Sequence, residues 1–192
     1  MILQVRGGSG AGKTTLVREF LRKHDGREVE TVSSAKGSAY QVWQVSGVSC
    51  SDIYVPGKYS LDGVSPGKGG EHVEGTLGLA LLLRLAATGD VLWETPKGSS
   101  YAFWEALTDQ HRVVWATLDT PAAECVKRIY ARRQATGRRL GKPLKEDSMT
   151  RIIEQRLRQA TKPPPHVQSY WLDGEFQNVA LQQVETLLGM TA

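Results

Sequence analysis

Cysteine is scarce in this chain of 192 residues: Cys50 and Cys125 are the only two, and neither sits in a metal-ligand spacing. That excludes a disulfide-stapled secreted domain and a cysteine zinc site. Both thiols are expected to be buried, with no disulfide partner. Long apolar runs are missing too. The most hydrophobic stretch, Leu77 to Ala87, is interrupted by Arg84 and falls short of the roughly 18–20 residues of a membrane span. The opening Met1-Ile2-Leu3 runs straight into glycines, unlike a secretion signal. We therefore expect a cytoplasmic protein with no membrane contact. Hydrophobic residues make up 40%, enough for one core, so residues 1–192 read as a single folded domain rather than a disordered chain.

Charge of one sign is in mild excess, at +4. Its distribution says more than its size. Basic residues crowd between Lys127 and Lys162, including Arg128, Arg132, Arg133, Arg138, Arg139, Lys142, Lys145, Arg151, Arg156 and Arg158, opposed by Glu146, Asp147 and Glu154. Such a run is either a solvated helix surface or a face for anions, whether nucleotide phosphates or a nucleic-acid backbone.

Strand-like and helix-like segments alternate along the chain. Ile2 to Val5 suits a buried strand, and Leu16, Val17, Phe20 and Leu21 have helical spacing over 14–23. Val29 to Val32 predicts a second strand. Tyr40 to Val45 alternates with period two, breaks at Ser46-Gly47 and resumes toward Val55, which predicts a hairpin. A Gly-, Ser-, Pro- and Lys-rich loop spans 56–70. Helices are expected over 71–87, 99–108, 121–133, 148–160 and 178–188, and strands over 90–94, 112–118 and 170–172. Thr120 is placed as a helix cap before Pro121. The pattern implies an α/β fold with a mostly parallel sheet covered by helices on both faces.

Gly7-Gly8-Ser9-Gly10-Ala11-Gly12-Lys13-Thr14-Thr15 fits G-x-x-x-x-G-K-[ST], between a strand and a helix. Glycines let the backbone turn successive N–H groups onto a phosphate at the positive end of a helix. Gly8 to Thr15 would thus bind a nucleoside triphosphate, with Lys13 on its β- and γ-phosphates and the Thr14 hydroxyl on Mg²⁺. Glu94 closes the apolar strand Val91-Leu92-Trp93, where a second metal-holding acid belongs. It is the candidate partner of Thr14 in the metal site. The expected fold is therefore the three-layer P-loop NTPase fold, with ATP and Mg²⁺ as cofactors and the choice of ATP over GTP open.

No N-K-x-D base-reading motif of switch GTPases occurs, and the chain lacks the longer acidic strand motif of motor ATPases. Small kinases instead close arginines over the phosphates. Arg128 and Arg132 lie one turn apart on a helix face, and Arg138-Arg139 follow Gly137 in a candidate lid over 128–147. Arginine suits a transferring phosphoryl group, where one such residue is worth about 10³–10⁵ in rate.

The chain resembles small kinases of the nucleoside-monophosphate-kinase type, and more narrowly the P-loop kinases of tailed bacteriophages. The resemblance rests on Ile2-Leu3-Gln4-Val5-Arg6-Gly7, Gly57-Lys58-Tyr59, Val91-Leu92-Trp93-Glu94 and Leu118-Asp119-Thr120-Pro121. Some members are 5-hydroxymethyluracil DNA kinases, so the resemblance implies DNA carrying a modified pyrimidine as acceptor, and the host cytoplasm as location. It also implies that Leu172 to Asn178 lies beside the adenine. Where relatives carry Gly-Gly-Cys-Asp, this chain has Ser60-Leu61-Asp62-Gly63. Asp62, in the acceptor-covering loop, is the first candidate for catalytic base, with Asp52, Glu71 and Glu74 as rivals. Tyr54, Lys58 and Tyr59 are candidates to hold the acceptor. A free nucleoside, nucleotide or other small hydroxyl compound remains the alternative acceptor, and a nucleotide-dependent binding protein the alternative class.

Overall fold

A computed structural model describes residues 1–33, 39–47, 50–61, 75–94, 101–135, 146–160 and 162–190. Its centre is β1 (Ile2–Arg6), all five residues of which are buried. Central parallel strands are covered on both faces, so even Gln4 and Arg6 of β1 are buried. β1 leads through the glycine loop into α1 (Lys13–Lys23). Three strands follow, β2 (Arg27–Ser33), β3 (Ala39–Val45) and β4 (Ile53–Gly57), and pair antiparallel in succession. The expected hairpin is β3–β4, and β2 extends it by one strand. The chain continues through α2 (Gly75–Ala86), β5 (Asp90–Glu94), α3 (Tyr101–Thr108), β6 (Val113–Asp119), α4 (Ala122–Ala135), α5 (Glu146–Ala160), β7 (Gln168–Asp173) and α6 (Gln177–Leu187).

The seven strands lie in the order β2-β3-β4-β5-β1-β6-β7, and β4, β5, β1, β6 and β7 run parallel. Alternate residues of each strand serve different cores. Leu3, Val5, Leu92, Ala116 and Leu118 join Leu16, Phe20, Cys125, Ile153 and Val184 from α1, α4, α5 and α6. Ile2, Val91, Trp93, Val113 and Trp115 join Leu82, Leu85, Phe103 and Trp104 from α2 and α3. Helices therefore cover both faces of an α/β sheet.

From β5 the chain crosses past β1 to reach β6. The strand order thus reverses around β1, and ligand crevices in open α/β sheets open at such points, beyond the strands' carboxyl ends. The glycine loop lies there.

Several local expectations need correction. Cys50 is exposed, because it stands in the turn between β3 and β4, whereas Cys125 is buried in α4; both thiols are free. The loop read from residue 56 starts later, since Pro56 and Gly57 complete β4 opposite Val42 and Gln41. Residues 128–135 of the candidate lid are the end of α4, and 136–145 lie outside the described residues. Among the described residues no helix is long and apolar enough to cross a membrane.

Candidate functional site

The turn from β1 into α1 is possible only with glycine at particular points. Gly10 and Gly12 have φ of +85° and +101°, a left-handed region that penalises a side chain. Space is equally limiting. A Cβ on Gly10 would lie 2.4 Å from the Cys125 carbonyl oxygen, one on Gly8 2.8 Å from Ile153 Cγ2, and one on Gly12 2.7 Å from Gln177 Nε2. α4, α5 and α6 each press one residue against the loop. Gly10, which meets a backbone carbonyl, is thus required by the fold around it as well as by its torsion, whereas Gly8 and Gly12 meet side-chain atoms.

Gly12 caps α1 without a side-chain hydrogen bond, and the first turn of α1 carries no acid. No acid of that turn opposes the positive end of the helix dipole, which favours an anion there. Lys13 is 6% exposed, and its Nζ donates to the carbonyl oxygens of Gly7 (3.1 Å) and Gly8 (2.9 Å). The ammonium is drawn back over the loop it would serve. Ser9 is half-buried on the loop, the Ala11 side chain is fully buried, and Thr15 is exposed in the first turn of α1.

Glu94 is the strongest single feature. It ends β5 with no solvent exposure, and the Thr14 hydroxyl donates to its Oε2 at 3.1 Å, across 80 positions of sequence. β5 pairs directly with β1, Glu94 opposite Val5. Because Trp93 faces α3, its neighbour Glu94 must face α1, which is why carboxylate and hydroxyl meet. A hard cation taking oxygen ligands would find both here. Among the described residues no group of three or more His, Cys, Asp or Glu could enclose a metal, so water and phosphate oxygens would complete the shell.

No family model matches this chain, and no curated protein matches it. The site's chemistry therefore rests on its own geometry.

Arg128 lies beside the glycine loop. Its Nε donates to Glu124 Oε1 at 3.0 Å and its Nη1 to the Ala11 carbonyl at 3.4 Å, so it is parked against the loop. That hydrogen bond is the main reason the Glu124 carboxyl lies below its usual range. Arg132 is exposed one turn further along α4. Cys125 Sγ lies 3.9 Å from the position of a Gly8 Cβ, and burial raises its pKa, so the thiol is packing beneath the loop.

Thr120 is not the helix cap expected of it. α4 begins at Ala122, and the Thr120 hydroxyl shares its proton between the carbonyls of Ala11 (3.1 Å) and Gly174 (3.3 Å). It ties the glycine loop to the turn after β7. In that turn Asp173 Oδ1 accepts from the N–H groups of Glu175 (2.8 Å) and Phe176 (2.9 Å). Phe176 is 58% exposed beside Gln177, the α6 residue that abuts Gly12. The segment 172–178 thus lies against the loop, although the sequence marked Thr120 only as a helix cap, and Phe176 and Gln177 only as members of that segment.

The acceptor candidates divide. Asp62, Glu71 and Glu74 lie outside the described residues. Asp52 and Tyr54 are at the wrong end of the sheet. Asp52 accepts from Gln44, its carbonyl accepts from Asp90 N, and the Tyr54 ring would meet a Cβ on Gly89, all at the start of β5 rather than beyond its end. Tyr59 is 3% exposed within the α1-side core, so its ring cannot stack on a base. Lys58 is half-buried just beyond β4, at the loop's end of the sheet. A groove of about 620 Å³, lined by Lys23, His24, Arg27, Glu28, Gln44 and Ser46, opens at the far end of α1 and is lined by none of the candidate site residues.

Proposed function

We propose that this protein is a P-loop kinase that transfers the γ-phosphoryl group of ATP to a hydroxyl, with the hydroxymethyl group of 5-hydroxymethyluracil in phage DNA as the preferred acceptor. The observation that carries the reading is the 3.1 Å contact between Thr14 and the buried Glu94. A glycine loop alone is a common turn; one whose hydroxyl meets a buried strand-end carboxylate has the donor set of a Mg²⁺–triphosphate site. Thr14 and Glu94 would hold Mg²⁺, which would supply charge neutralisation to the phosphates.

The chain's own residues do the rest. Backbone N–H groups from Gly8 to Thr15 wrap the phosphates at the start of α1. Lys13 exchanges the loop carbonyls for phosphate oxygens, a stronger, charge-assisted partner. Arg128 swings from Glu124 and Ala11 onto the transferring group, with Arg132 behind it, and holds the negative charge spread over its oxygens. The turn 173–177 flanks the base, with Phe176 presenting an apolar face. Asp62 takes the hydroxyl proton in this scheme; its role rests on sequence alone. The P-loop NTPase fold is likewise inferred, from the loop at the reversal point of the sheet.

The test is to incubate the protein with γ-labelled ATP, Mg²⁺ and a panel of modified oligonucleotides and nucleosides. Label should enter the hydroxymethyluracil oligonucleotide, and its KM should rise steeply with salt, by a slope of about 0.7–0.9 per phosphate contact. Label in the nucleoside but never in the oligonucleotide replaces DNA by a small acceptor. Label in nothing removes the kinase.

A further inference from the structure

Arg6 is the last residue of β1, directly before Gly7, and its side chain lies on the α3 side of the sheet. It is 5% exposed, and its guanidinium carbon sits 3.5 Å from the centroid of the Trp115 ring. Among the described residues its one hydrogen bond runs from Nη1 to Gln4 Oε1 at 3.2 Å. Among the described residues no carboxylate pairs with it.

The surroundings are short of acceptors as well. Gln4 stands in register between Trp93 on β5 and Trp115 on β6. Gln4 Nε2, Trp93 Nε1 and Trp115 Nε1 are all buried donors without a partner. One row across the three central strands therefore holds three unmatched N–H groups, and Arg6 touches two of its members, Gln4 and Trp115. Buried polar groups are normally satisfied, and a buried charge normally has a counter-charge. Burial alone lowers the Arg6 pKa to about 10, with no opposing charge to restore it.

We propose that Arg6 is an anion-recognition residue, and that the anion it awaits is a phosphate group carried by the acceptor. A planar guanidinium backed by an aromatic face presents its fork to a phosphate, and the position adjoins the glycine loop. The acceptor is then a nucleotide or a nucleic acid, and a free nucleoside lacks the group that Arg6 reads. The assignment to the acceptor rests on the kinase reading; the anion site does not.

Thermal unfolding of the full chain tests this with inorganic phosphate as the probe and acetate as the carboxylate control. The glycine loop is first saturated with a non-hydrolysable ATP analogue and Mg²⁺. Phosphate should raise the Tm of the wild type further, and more than acetate does. In Arg6→Met and Arg6→Gln that response should be lost, while Arg6→Met unfolds no earlier than the wild type in the absence of phosphate, since it removes an unpaired buried charge. A purely structural Arg6 gives the opposite pair of results: a lower Tm for Arg6→Met and an unchanged response to phosphate. If Arg6→Met does not fold, Arg6→Lys decides, because it keeps the charge over Trp115 and loses the fork; an undiminished phosphate response there overturns the proposal. A Tm response to phosphate but not to the ATP analogue removes the kinase reading and leaves the Arg6 site standing. A response to the analogue with no Arg6-dependent phosphate response does the reverse. In turnover, Arg6→Gln should raise KM for the oligonucleotide at least about tenfold, the effect of losing a hydrogen bond to a charged group, with KM for ATP unchanged.

Discussion

Replacing Gly10 by alanine should both destabilise the protein and cripple the site, and an internal control separates the two causes. Gly10 has φ +85° and Gly47 has φ +77°, so an alanine at either position meets a similar backbone penalty. That penalty is about 1–2 kcal/mol, reduced by about 0.4–1 kcal/mol because alanine also restricts the unfolded chain. At Gly47 nothing lies within 4 Å of the new methyl group, so Gly47→Ala should cost about 1 kcal/mol. At Gly10 the methyl would stand 2.4 Å from the Cys125 carbonyl and 3.1 Å from Ile129 Cγ1, where ordinary contact begins at 3.4 Å. α4 and the loop must part by roughly 1 Å, an overpacking cost of about 1–3 kcal/mol. Gly10→Ala should therefore lie about 1–3 kcal/mol below Gly47→Ala in urea unfolding. The same displacement carries Arg128, one turn beyond Cys125, away from the loop. A misplacement of that size can cost about 10²-fold in rate, while Gly47→Ala should turn over normally. Equal stabilities for the two variants, with ATP binding intact in Gly10→Ala, would refute the packing argument.

Lys13→Ala should fold and lose about 10²–10³-fold in phosphoryl transfer, as expected when a donor to transition-state charge is removed; near-normal turnover by the folded variant contradicts the kinase reading. Glu94→Gln keeps an acceptor for Thr14 but loses the charge, so the Mg²⁺ concentration for half-maximal activity should rise about 10–100-fold; an unchanged metal titration makes Glu94 a mere strand terminus. Burial pushes the Glu185 carboxyl up, but hydrogen bonds from Lys23 and His24 outweigh this and hold it below the ordinary 4.5. A depressed carboxyl contributes stability above its unfolded pKa, and that contribution is lost as pH falls below 4.5 through the lower folded value. The Tm gap between wild type and Glu185→Gln should thus shrink over that window, and a gap constant from pH 7 to pH 3 would count against the Lys23–Glu185–His24 cluster.

The sheet and the loop were legible because both rest on local rules. Periodicity marked the strands, and the spacing of glycines, Lys13 and Thr14 marked the turn. The meeting of Glu94 with Thr14 was legible too, since an acid closing an apolar strand of a chain with this glycine loop was paired with that hydroxyl. What could not be read was which end of the sheet a residue occupies. Asp52 and Tyr54 looked like acceptor residues by position in sequence. β4 runs parallel to β5, so its first residues fall at the edge opposite the glycine loop. Tyr59 looked available for stacking, yet the chain leaving β4 turns it into the α1-side core. Thr120 before Pro121 matched a helix cap, and only the approach of the loop and of Gly174 reveals its other partner. Arg6 entered only as part of the opening Ile2-Leu3-Gln4-Val5-Arg6-Gly7; its burial on Trp115 depends on a residue more than a hundred positions away.

The most direct measurement is the coupling of ADP formation to acceptor labelling in one reaction containing γ-labelled ATP, Mg²⁺ and a hydroxymethyluracil oligonucleotide. The account predicts one ADP for each phosphate gained by the DNA, and little ADP when the acceptor is omitted or its hydroxymethyl group is replaced by methyl. ADP appearing at the same rate with and without every acceptor tested, and no labelled product, would contradict it and leave a nucleotide hydrolase or switch.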